Sequence, residues 1–312
     1  EIDPEIVVFC RYGGVYADRI VATAHERGAA TVLQLDDNLL DVPADLGTRK
    51  QAYHMHPRRQ NSIRYLLRNV DLVYCSTPAL KERLSGLDFP VAPLVNGAIF
   101  CASEVLVPTA LRPVRTVGYM GGGDHAHDFA DLLPQLVHFL DRYENVTFEL
   151  FSSMPMPKEL SRFGNRARRL PVIPNYDDFR AFFQKLEWDI GLCPLRPIDF
   201  NTFKADTKWV EYTSVGTAVV ASAGLVYDRC CNNGCGLLVR GENGWFNALE
   251  RLTCDPELRY NMVRRSQRRL VAEYGVARLR RQVLEVFAQA SGLARARGRQ
   301  DDLWHRRDSE IV

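Results

Sequence analysis

The stretch that decides the fold is Phe203-Lys204-Ala205-Asp206-Thr207-Lys208-Trp209-Val210-Glu211-Tyr212, which continues through Gly216 into Ala218-Val219-Val220-Ala221. It predicts a short helix with lysines near its start, a glycine stop and a buried strand. A helix N-terminus exposes unpaired N–H groups and the positive end of the helix dipole, which suits a diphosphate. Lys204 and Lys208 add positive charge there, and Glu211 is placed to accept hydrogen bonds from sugar hydroxyls. Together these features indicate a nucleotide-sugar site.

Strand and helix patterns alternate along most of the chain. Strands separated by helices of ten or more residues need crossover connections, which predicts parallel sheets. The alternation restarts after Asn96-Gly97, so we expect an α/β protein with two Rossmann-like parallel-sheet domains, the first one short. The expected division is residues 1–105, residues 106–285, and a basic tail at 286–312 that forms a mobile end or a surface strap.

Composition narrows the class of protein. The 312 residues are 46% apolar and 25% charged, with a net charge of +2. These values are ordinary for a soluble globular protein, and the small net charge gives no reason to expect nucleic acid as a partner. No apolar run approaches the ~20 residues that span a bilayer, and the first residues lack a signal-peptide pattern, which predicts a cytoplasmic protein.

The eight cysteines do not predict a metal centre. Cys10, Cys75 and Cys193 lie in apolar, strand-like runs, where a free cysteine usually acts as a small buried hydrophobe. The cluster of Cys230, Cys231 and Cys235 lacks the paired C-x2-C spacing of a zinc site. We therefore expect reduced thiols and no bound metal.

Several segments, taken in order, resemble the retaining GT-B nucleotide-sugar glycosyltransferases, in particular the glycogen-synthase-like branch of bacterial polysaccharide and O-antigen clusters. The resemblance covers roughly residues 6 to 275 and rests on order and spacing. The segments that carry it are Leu33-Gln34-Leu35-Asp36-Asp37-Asn38-Leu39-Leu40, Val73-Tyr74-Cys75-Ser76-Thr77-Pro78-Ala79-Leu80, Val95-Asn96-Gly97-Ala98-Ile99, Gly118-Tyr119-Met120-Gly121 with His125 and Asp128, and Lys204 to Ser222.

The resemblance implies two domains facing across a cleft, with the donor held mainly by the second. It implies transfer of a sugar, with retention, from a nucleoside-diphosphate sugar to a hydroxyl of a glycan, lipid-linked or protein acceptor. No metal cofactor is expected, and peripheral membrane association fits a lipid-linked acceptor. One position departs from the family pattern: Phe203 stands where the first of two glutamates would be, with Glu211 in the second place.

The site hypothesis has three parts. The catalytic group is Lys208, Glu211 and Lys204. The donor-binding group is Gly121, Gly122, Gly123, His125, Asp128, Ile173, Tyr176, Asp206 and Thr207, with the Ile173 to Tyr176 segment cradling the nucleotide base. The acceptor-side group is Tyr12, Gly13, Gly14, Asp36 and Asp37.

Each part has a structural alternative. The Gly121–Gly123 triplet, expected to permit positive φ and close approach to a phosphate, is equally typical of a plain turn. Asp128 suits a helix cap, and Asp36 and Asp37 suit a structural role at a strand end. His54 and His56, with Arg58 and Arg59, fit either an anionic acceptor or a solvated loop.

Two other functions stay open at this stage. One is a sugar-nucleotide epimerase on the same fold, which needs additional acids that the sequence does not place. The other is a non-catalytic paralogue or subunit, which Phe203 and the short first domain favour.

Overall fold

The structure is a computed structural model that describes residues 3–98, 100–102, 104–108 and 110–309, with side chains described as far as residue 299. The chain folds into two compact units. The first unit contains Glu1–Ile99, Phe203–Ala205 and Ala277–Val312; the second contains Phe100–Thr202 and Asp206–Val276.

The described strands are β1 (Ile6–Cys10), β2 (Ala30–Leu35), β3 (Leu72–Cys75), β4 (Leu94–Asn96), β5 (Thr116–Gly121), β6 (Thr147–Ser152), β7 (Ala167–Leu170), β8 (Ile190–Cys193), β9 (Ala218–Ser222) and β10 (Leu237–Val239). The described helices are α1 (Ala17–Glu26), α2 (Thr48–His54), α3 (Pro57–Asn69), α4 (Pro78–Ser85), α5 (Ala126–Ala130), α6 (Leu133–Arg142), α7 (Lys158–Ser161), α8 (Tyr176–Gln184), α9 (Asp199–Thr202), α10 (Thr207–Ser214), α11 (Tyr227–Cys231), α12 (Gly244–Cys254), α13 (Pro256–Tyr274) and α14 (Val276–Ser309).

The first unit is built on a parallel sheet in the order β1-β2-β3-β4. Strand β3 is buried along its whole length, as expected for a parallel strand covered on both faces. Helix α3 packs its apolar stripe of Ile63, Leu66 and Leu67 into the core. The predicted alternation of strands and helices is confirmed here.

The second unit is built on a six-stranded parallel sheet in the order β10-β9-β8-β5-β6-β7. Successive strands run outward from β5 in one direction and from β8 in the other, so the strand order reverses between these two neighbours. These two strands pair at Val117 with Ile190 and at Gly118 with Gly191, and Gly118 leaves room for the Trp188 ring, because an added Cβ would lie 2.0 Å from it. In such sheets, ligands bind outside the carboxyl ends of the strands at the point of reversal.

The predicted domain limits need correction. Residues 286–312 were expected to form a separate mobile end or strap, but residues 286–309 belong to the 34-residue helix α14, most of which is part of the first unit; residues 310–312 lie outside the described part. Val286, Ala290 and Ala294 share one helix face and pack in a core cluster with Ala30 and Tyr74. The side chains beyond residue 299 lie outside the described part.

One local expectation also needs correction. Cys10 is exposed, and its thiol lies 2.9 Å from Gln34 Oε1, whereas Cys75 and Cys193 are buried as predicted. Because β1 is an edge strand of its sheet, apolar content alone did not predict its exposure.

The packing of α14 generates a paired prediction. Ala290 is fully buried, so Ala290→Asp should destabilise the protein by several kcal/mol, roughly the cost of an unpaired buried charge. Gly292 lies on the same helix with open space around it, so Gly292→Ala should stabilise by about 0.5–1 kcal/mol. Urea unfolding measures both, and equal stability of the Ala290→Asp variant and the parent would contradict the packing of α14 on this unit.

Candidate functional site

The candidate site lies in the second unit, where the strand order reverses between β5 and β8. Tyr212 of α10 occupies this position. The Met120 N–H donates to its hydroxyl at 2.9 Å, and that hydroxyl donates to the Leu192 carbonyl at 3.2 Å. An added Cβ at Gly191 would lie 2.6 Å from the Tyr212 ring. The helix is therefore fixed against the two strands, at the place where α/β sheets bind ligands.

Helix α10 buries one face and leaves the other beside the site. Trp209, Val210, Tyr212 and Thr213 are buried, and the Trp209 indole N–H donates to the Cys235 carbonyl at 2.9 Å. Lys208 and Glu211 are only partly buried. Residues 209, 210, 212 and 213 share one face because they repeat at helical spacing.

Lys208 is the cation of the site. Its ammonium lies 5.8 Å from the centroid of the Tyr119 ring. Its positive charge favours the ionised form of both Asp128 and Glu211. For Asp128 it is a minor cause of the lowered pKa, and for Glu211 it opposes the larger effect of burial. Lys208, Asp128 and Glu211 thus form one electrostatic cluster around the ends of β5 and α10.

Asp128 holds the site together. Its Oδ2 lies 2.7 Å from His125 Nδ1, and its Oδ1 accepts from the Arg196 N–H at 2.8 Å and from Asn201 Nδ2 at 3.2 Å. Burial alone would raise the pKa of Asp128, but the hydrogen bonds from His125 and Arg196 outweigh it and lower that pKa. Asp128 therefore joins α5 to the segment that follows β8. The N-cap position of α5 is occupied by His125, and Asp128 is the third residue inside the helix, so Asp128 is not the capping residue.

Glu211 has an unusual acidity. Burial raises its pKa to about 7, against the opposing effects of the Lys208 charge, a hydrogen bond with Tyr176, and the Arg180 charge. Tyr176, at the start of α8, is largely exposed and stacks on Phe179 with ring centroids 5.8 Å apart. Glu211 and Tyr176 are therefore brought together, and the role of Tyr176 and of Ile173 at a nucleotide base stays a prediction.

The comparisons with known proteins give one clear result. No family model and no curated protein matches this sequence, but many solved structures do. S. aureus TarM, crystallised with UDP, has a TM-score of 0.67 at 13% identity over 92% of this chain and 56% of its own. The pneumococcal O-GlcNAc transferase GtfA has a TM-score of 0.63 at 9% identity, over 91% of this chain and 56% of its own.

A third match is nearer in length. Anabaena HepE, crystallised with UDP-glucose, has a TM-score of 0.62 at 15% identity over 87% of this chain and 81% of its own. The two parallel-sheet α/β units of this chain match the GT-B structures. The chain has the GT-B glycosyltransferase fold. It spans little more than half the length of the first two proteins, and identities this low show the fold alone.

In this GT-B chain, the glycine turn after β5 differs from the expectation. None of the three glycines has positive φ; the positive-φ glycines lie elsewhere in the described chain. The Gly123 N–H donates to Ser153 Oγ at 2.8 Å. An added Cβ at Gly121 would lie 2.6 Å from the Tyr119 hydroxyl, and one at Gly122 2.3 Å from Asp124 Oδ1. The turn needs glycine because neighbouring side chains lie close, and phosphate contact stays a prediction.

Lys204 does not lie where the sequence placed it. Helix α10 begins at Thr207, so Lys204 precedes the helix and is part of the first unit. Its ammonium lies 3.7 Å from Asp37 Oδ1. Phe203, at the position of the missing glutamate, is buried in the core of the first unit. The reason is that Phe203–Ala205 pack with that unit, which helix periodicity cannot show.

Asp206 and Thr207 are at the start of α10. Asp206 makes no capping bond; its carboxylate accepts from the Tyr274 hydroxyl, and its Oδ2 lies 3.6 Å from Arg229 Nη2. Asp206 is thus engaged inside its own unit, which favours a structural role over donor binding. Thr207 is partly buried, and its donor contact stays a prediction.

The expected acceptor-side residues all lie at the carboxyl ends of β1 and β2 in the first unit. Arg11 pairs with Asp36 and lies 3.6 Å from Asp37. The Tyr12 hydroxyl donates to the Val15 carbonyl at 2.6 Å, and Ser62 donates to the Gly14 carbonyl at 2.7 Å. These bonds build a tight strand-to-helix turn at residues 12–14 between β1 and α1.

Cys230, Cys231 and Cys235 are buried free thiols. Within the described ranges, no three His, Cys, Asp or Glu side chains are grouped so as to hold a metal ion. None of the helices in the described part combines the length and the apolar character that crossing a membrane requires.

Sequence reasoning missed Tyr119, Arg196 and Asn201. Tyr119 is fully buried, and its hydroxyl has no hydrogen-bond partner among the described residues. Arg196 and Asn201 were missed because they reach Asp128 only through the return of the chain after β8. The sequence feature that could have predicted Arg196 and Asn201 is their position just after the buried strand β8, because the carboxyl ends of parallel strands share one edge of the sheet.

The anchoring role of Asp128 is testable. Asp128→Asn keeps the shape but removes the charge that the hydrogen bonds stabilise, so it should destabilise by ~1–3 kcal/mol at pH 7. Since the folded pKa is below the unfolded value, the charge stabilises the protein above pH 4 and that contribution is lost as the pH falls further. Urea unfolding should therefore show a difference between parent and variant that shrinks below pH 4.

The matched control is Asp131→Asn, whose side chain is 67% exposed in the same segment. It should change the free energy of unfolding by no more than about 0.5 kcal/mol. Equal effects of the two variants would show that Asp128 has no special anchoring role.

Proposed function

We propose that the chain binds a nucleoside-diphosphate sugar in its second unit and transfers the sugar to an acceptor hydroxyl. The observation that carries the proposal is the joint position of Lys208 and Glu211 on the less buried face of α10, next to the ends of two strands that Tyr212 joins. A cation and a hydrogen-bond acceptor one turn apart match a diphosphate followed by a ribose. The GT-B fold supports this proposal, since the matched HepE and TarM structures hold UDP-glucose and UDP.

In this mechanism Lys208 and the first N–H groups of α10 hold the diphosphate. As the bond between the anomeric carbon and the phosphate oxygen breaks, negative charge grows on the phosphate and the lysine ammonium stabilises it. The acceptor oxygen attacks on the same face of the sugar, and its proton passes to the leaving phosphate. This front-face reaction retains the anomeric configuration and uses no protein nucleophile.

The finer parts of the proposal follow the family resemblance. They are a hexosyl donor, an acceptor that is a glycan, lipid-linked or protein hydroxyl, a role in polysaccharide biosynthesis, and a cytoplasmic location with peripheral membrane association. No metal cofactor enters the proposed chemistry, because Lys208 supplies the charge that a bound cation would otherwise provide.

One observation favours a second candidate. Phe203, in place of the family's first glutamate, is buried with the first unit. A buried phenylalanine in place of that glutamate is consistent with a chain that binds the donor without transferring the sugar. Incubation with radiolabelled UDP-glucose separates the two candidates, because an enzyme releases UDP with acceptor or slowly with water, whereas a binding subunit returns the donor intact.

The diphosphate contact generates one prediction. Lys208→Gln should weaken UDP-glucose binding by ~1.5–3 kcal/mol, which is typical of a charged hydrogen bond. Isothermal titration calorimetry measures the affinity, and Lys185→Gln, which removes an exposed lysine after α8, is the control. Wild-type affinity in the Lys208→Gln variant would remove this lysine from the donor site.

The ribose contact generates a prediction about pH. A Glu211 pKa of about 7 leaves roughly one carboxylate in ten at pH 6, so UDP-glucose should bind roughly tenfold more weakly at pH 6 than at pH 8. UDP-glucose suits the test because its phosphodiester groups do not titrate in this range. Glu211→Gln should bind the donor weakly and show no such pH dependence.

The stability of the unliganded protein supplies the control. A raised pKa means that the folded protein holds a proton that the unfolded chain releases, so stability falls as the pH rises from about 4.5 to 7. Glu211→Gln removes this fall in stability with pH, so the variant should be at least as stable as the parent at pH 8. A variant that melts well below the parent at pH 8 would make Glu211 a structural acid.

A further inference from the structure

The first unit contains a second group of polar side chains that the proposed donor site does not use. It consists of Tyr53 and His54 at the end of α2, Arg59 in the first turn of α3, and Gly13 after β1; we refer to it as the Arg59 cluster. Arg59 Nη1 donates to the Tyr53 hydroxyl at 2.9 Å, and its Cζ lies 4.1 Å from the Tyr53 ring centroid. The Tyr53 and His54 rings meet edge to face at 5.1 Å.

The backbone at Gly13 is shaped around the guanidinium. An added Cβ at Gly13 would lie 3.1 Å from Arg59 Nη2 and 3.2 Å from its Cζ. Arg59 is therefore held against the turn that follows β1. In α/β proteins, the carboxyl end of a parallel strand is the edge at which ligands bind.

Two polar atoms of this cluster are buried without a partner. Arg59 Nε and His54 Nδ1 make no hydrogen bond to any described residue, and the His54 residue is only 9% exposed. Across the described residues, no carboxylate pairs with Arg59. Each buried polar atom left unsatisfied is costly, so two of them on adjacent side chains indicate a missing ligand.

The charges around His54 indicate whether that ligand is positively or negatively charged. Burial lowers the pKa of His54, and the positive charges of Arg59, Lys50 and Arg11 lower it further, against the negative charge of Asp37. The carboxylate of Asp37 is already 3.6 Å from Arg11 and 3.7 Å from Lys204. Arg11 is in turn paired with Asp36. Arg59 is therefore the cation of the cluster that no described carboxylate neutralises, which favours an anion.

Geometry favours phosphate among the anions. The guanidinium presents donors in a fixed fork that matches phosphate oxygens, and His54 adds a polar atom from a second element. A tetrahedral phosphate has oxygens for both side chains. At the end of β2, the neighbour of β1, Asp36 Oδ1 is also buried without a partner among the described residues, and a sugar hydroxyl beside the phosphate would supply the donor it lacks.

We propose that the Arg59 cluster binds the phosphate group of a phosphate-bearing acceptor, with Arg59 Nε and His54 Nδ1 as its contacts. This inference rests on the proposed glycosyl transfer, because it names the chemical class of the acceptor in that reaction. Arg59 and His54 act here as specificity-determining residues; the proposal gives them no part in breaking the donor bond.

The test titrates the full chain with two phosphate-bearing probes, glucose 6-phosphate and a short-chain prenyl-diphosphate glucose, and with glucose as the uncharged comparison. At least one phosphate probe should bind, and Arg59→Gln should weaken it roughly tenfold to a hundredfold, as expected for a charged hydrogen bond. Whichever probe binds identifies a sugar phosphate or a lipid-linked diphosphate as the source. Arg58→Gln is the matched control, since Arg58 is exposed in the same helical turn and should leave the affinity within about twofold.

Three results would overturn the inference: neither phosphate probe binds, glucose binds as tightly as both of them, or Arg58→Gln weakens binding as much as Arg59→Gln. Arg59→Lys keeps the charge without the fork and should lose most of the affinity, which keeps the test valid if Arg59→Gln folds poorly. UDP-glucose titrated into the same preparations separates the two proposals. If UDP-glucose binds in a Lys208-dependent way and neither phosphate probe binds, only this inference is refuted. If a phosphate probe binds and UDP-glucose does not, only the proposed donor site is refuted.

Discussion

The Tyr212 hydroxyl is the interaction on which the second unit depends. It accepts from the backbone of β5 and donates to the backbone of β8, so one side-chain oxygen joins the two strands where the sheet reverses its order. A hydroxyl can do both because it is a donor and an acceptor at once. Its burial among aromatic rings leaves no water to compete, and this strengthens both bonds.

The close approach of α10 follows from that constraint. Gly191 leaves room for the Tyr212 ring, and Phe183 and Trp188 pack around it with centroids 5.9 and 6.0 Å away. With one face of the helix fixed in this way, Lys208 and Glu211 have little freedom of position. Preorganised charge of this kind is what a leaving diphosphate requires, because no reorganisation is needed during the reaction.

Helix α14 contributes buried side chains to the core of the first unit. Helix α14 covers its sheet with small residues, and Arg297 lies 3.4 Å from the buried Asp71. Asp71 also accepts from the Thr31 N–H and hydroxyl at 2.8 and 2.9 Å. Burial taken alone would raise the pKa of Asp71, but the hydrogen bonds from His25 and Thr31 outweigh it, so that pKa is lowered and the carboxylate stays charged. A residue from the basic tail thereby helps to neutralise a charge inside the core.

The sequence alone determined the alternation of strands and helices, the two parallel sheets and the helix that carries Lys208 and Glu211, because these depend on local periodicity and on helix ends. Tertiary structure decided which residues meet. It placed Lys204 with Asp37 and Phe203 in the core of the first unit, and it returned α14 to that unit. It also raised the pKa of Glu211 through burial. Partners distant in sequence and the loss of solvent arise only when separate segments pack together, and no local pattern records them.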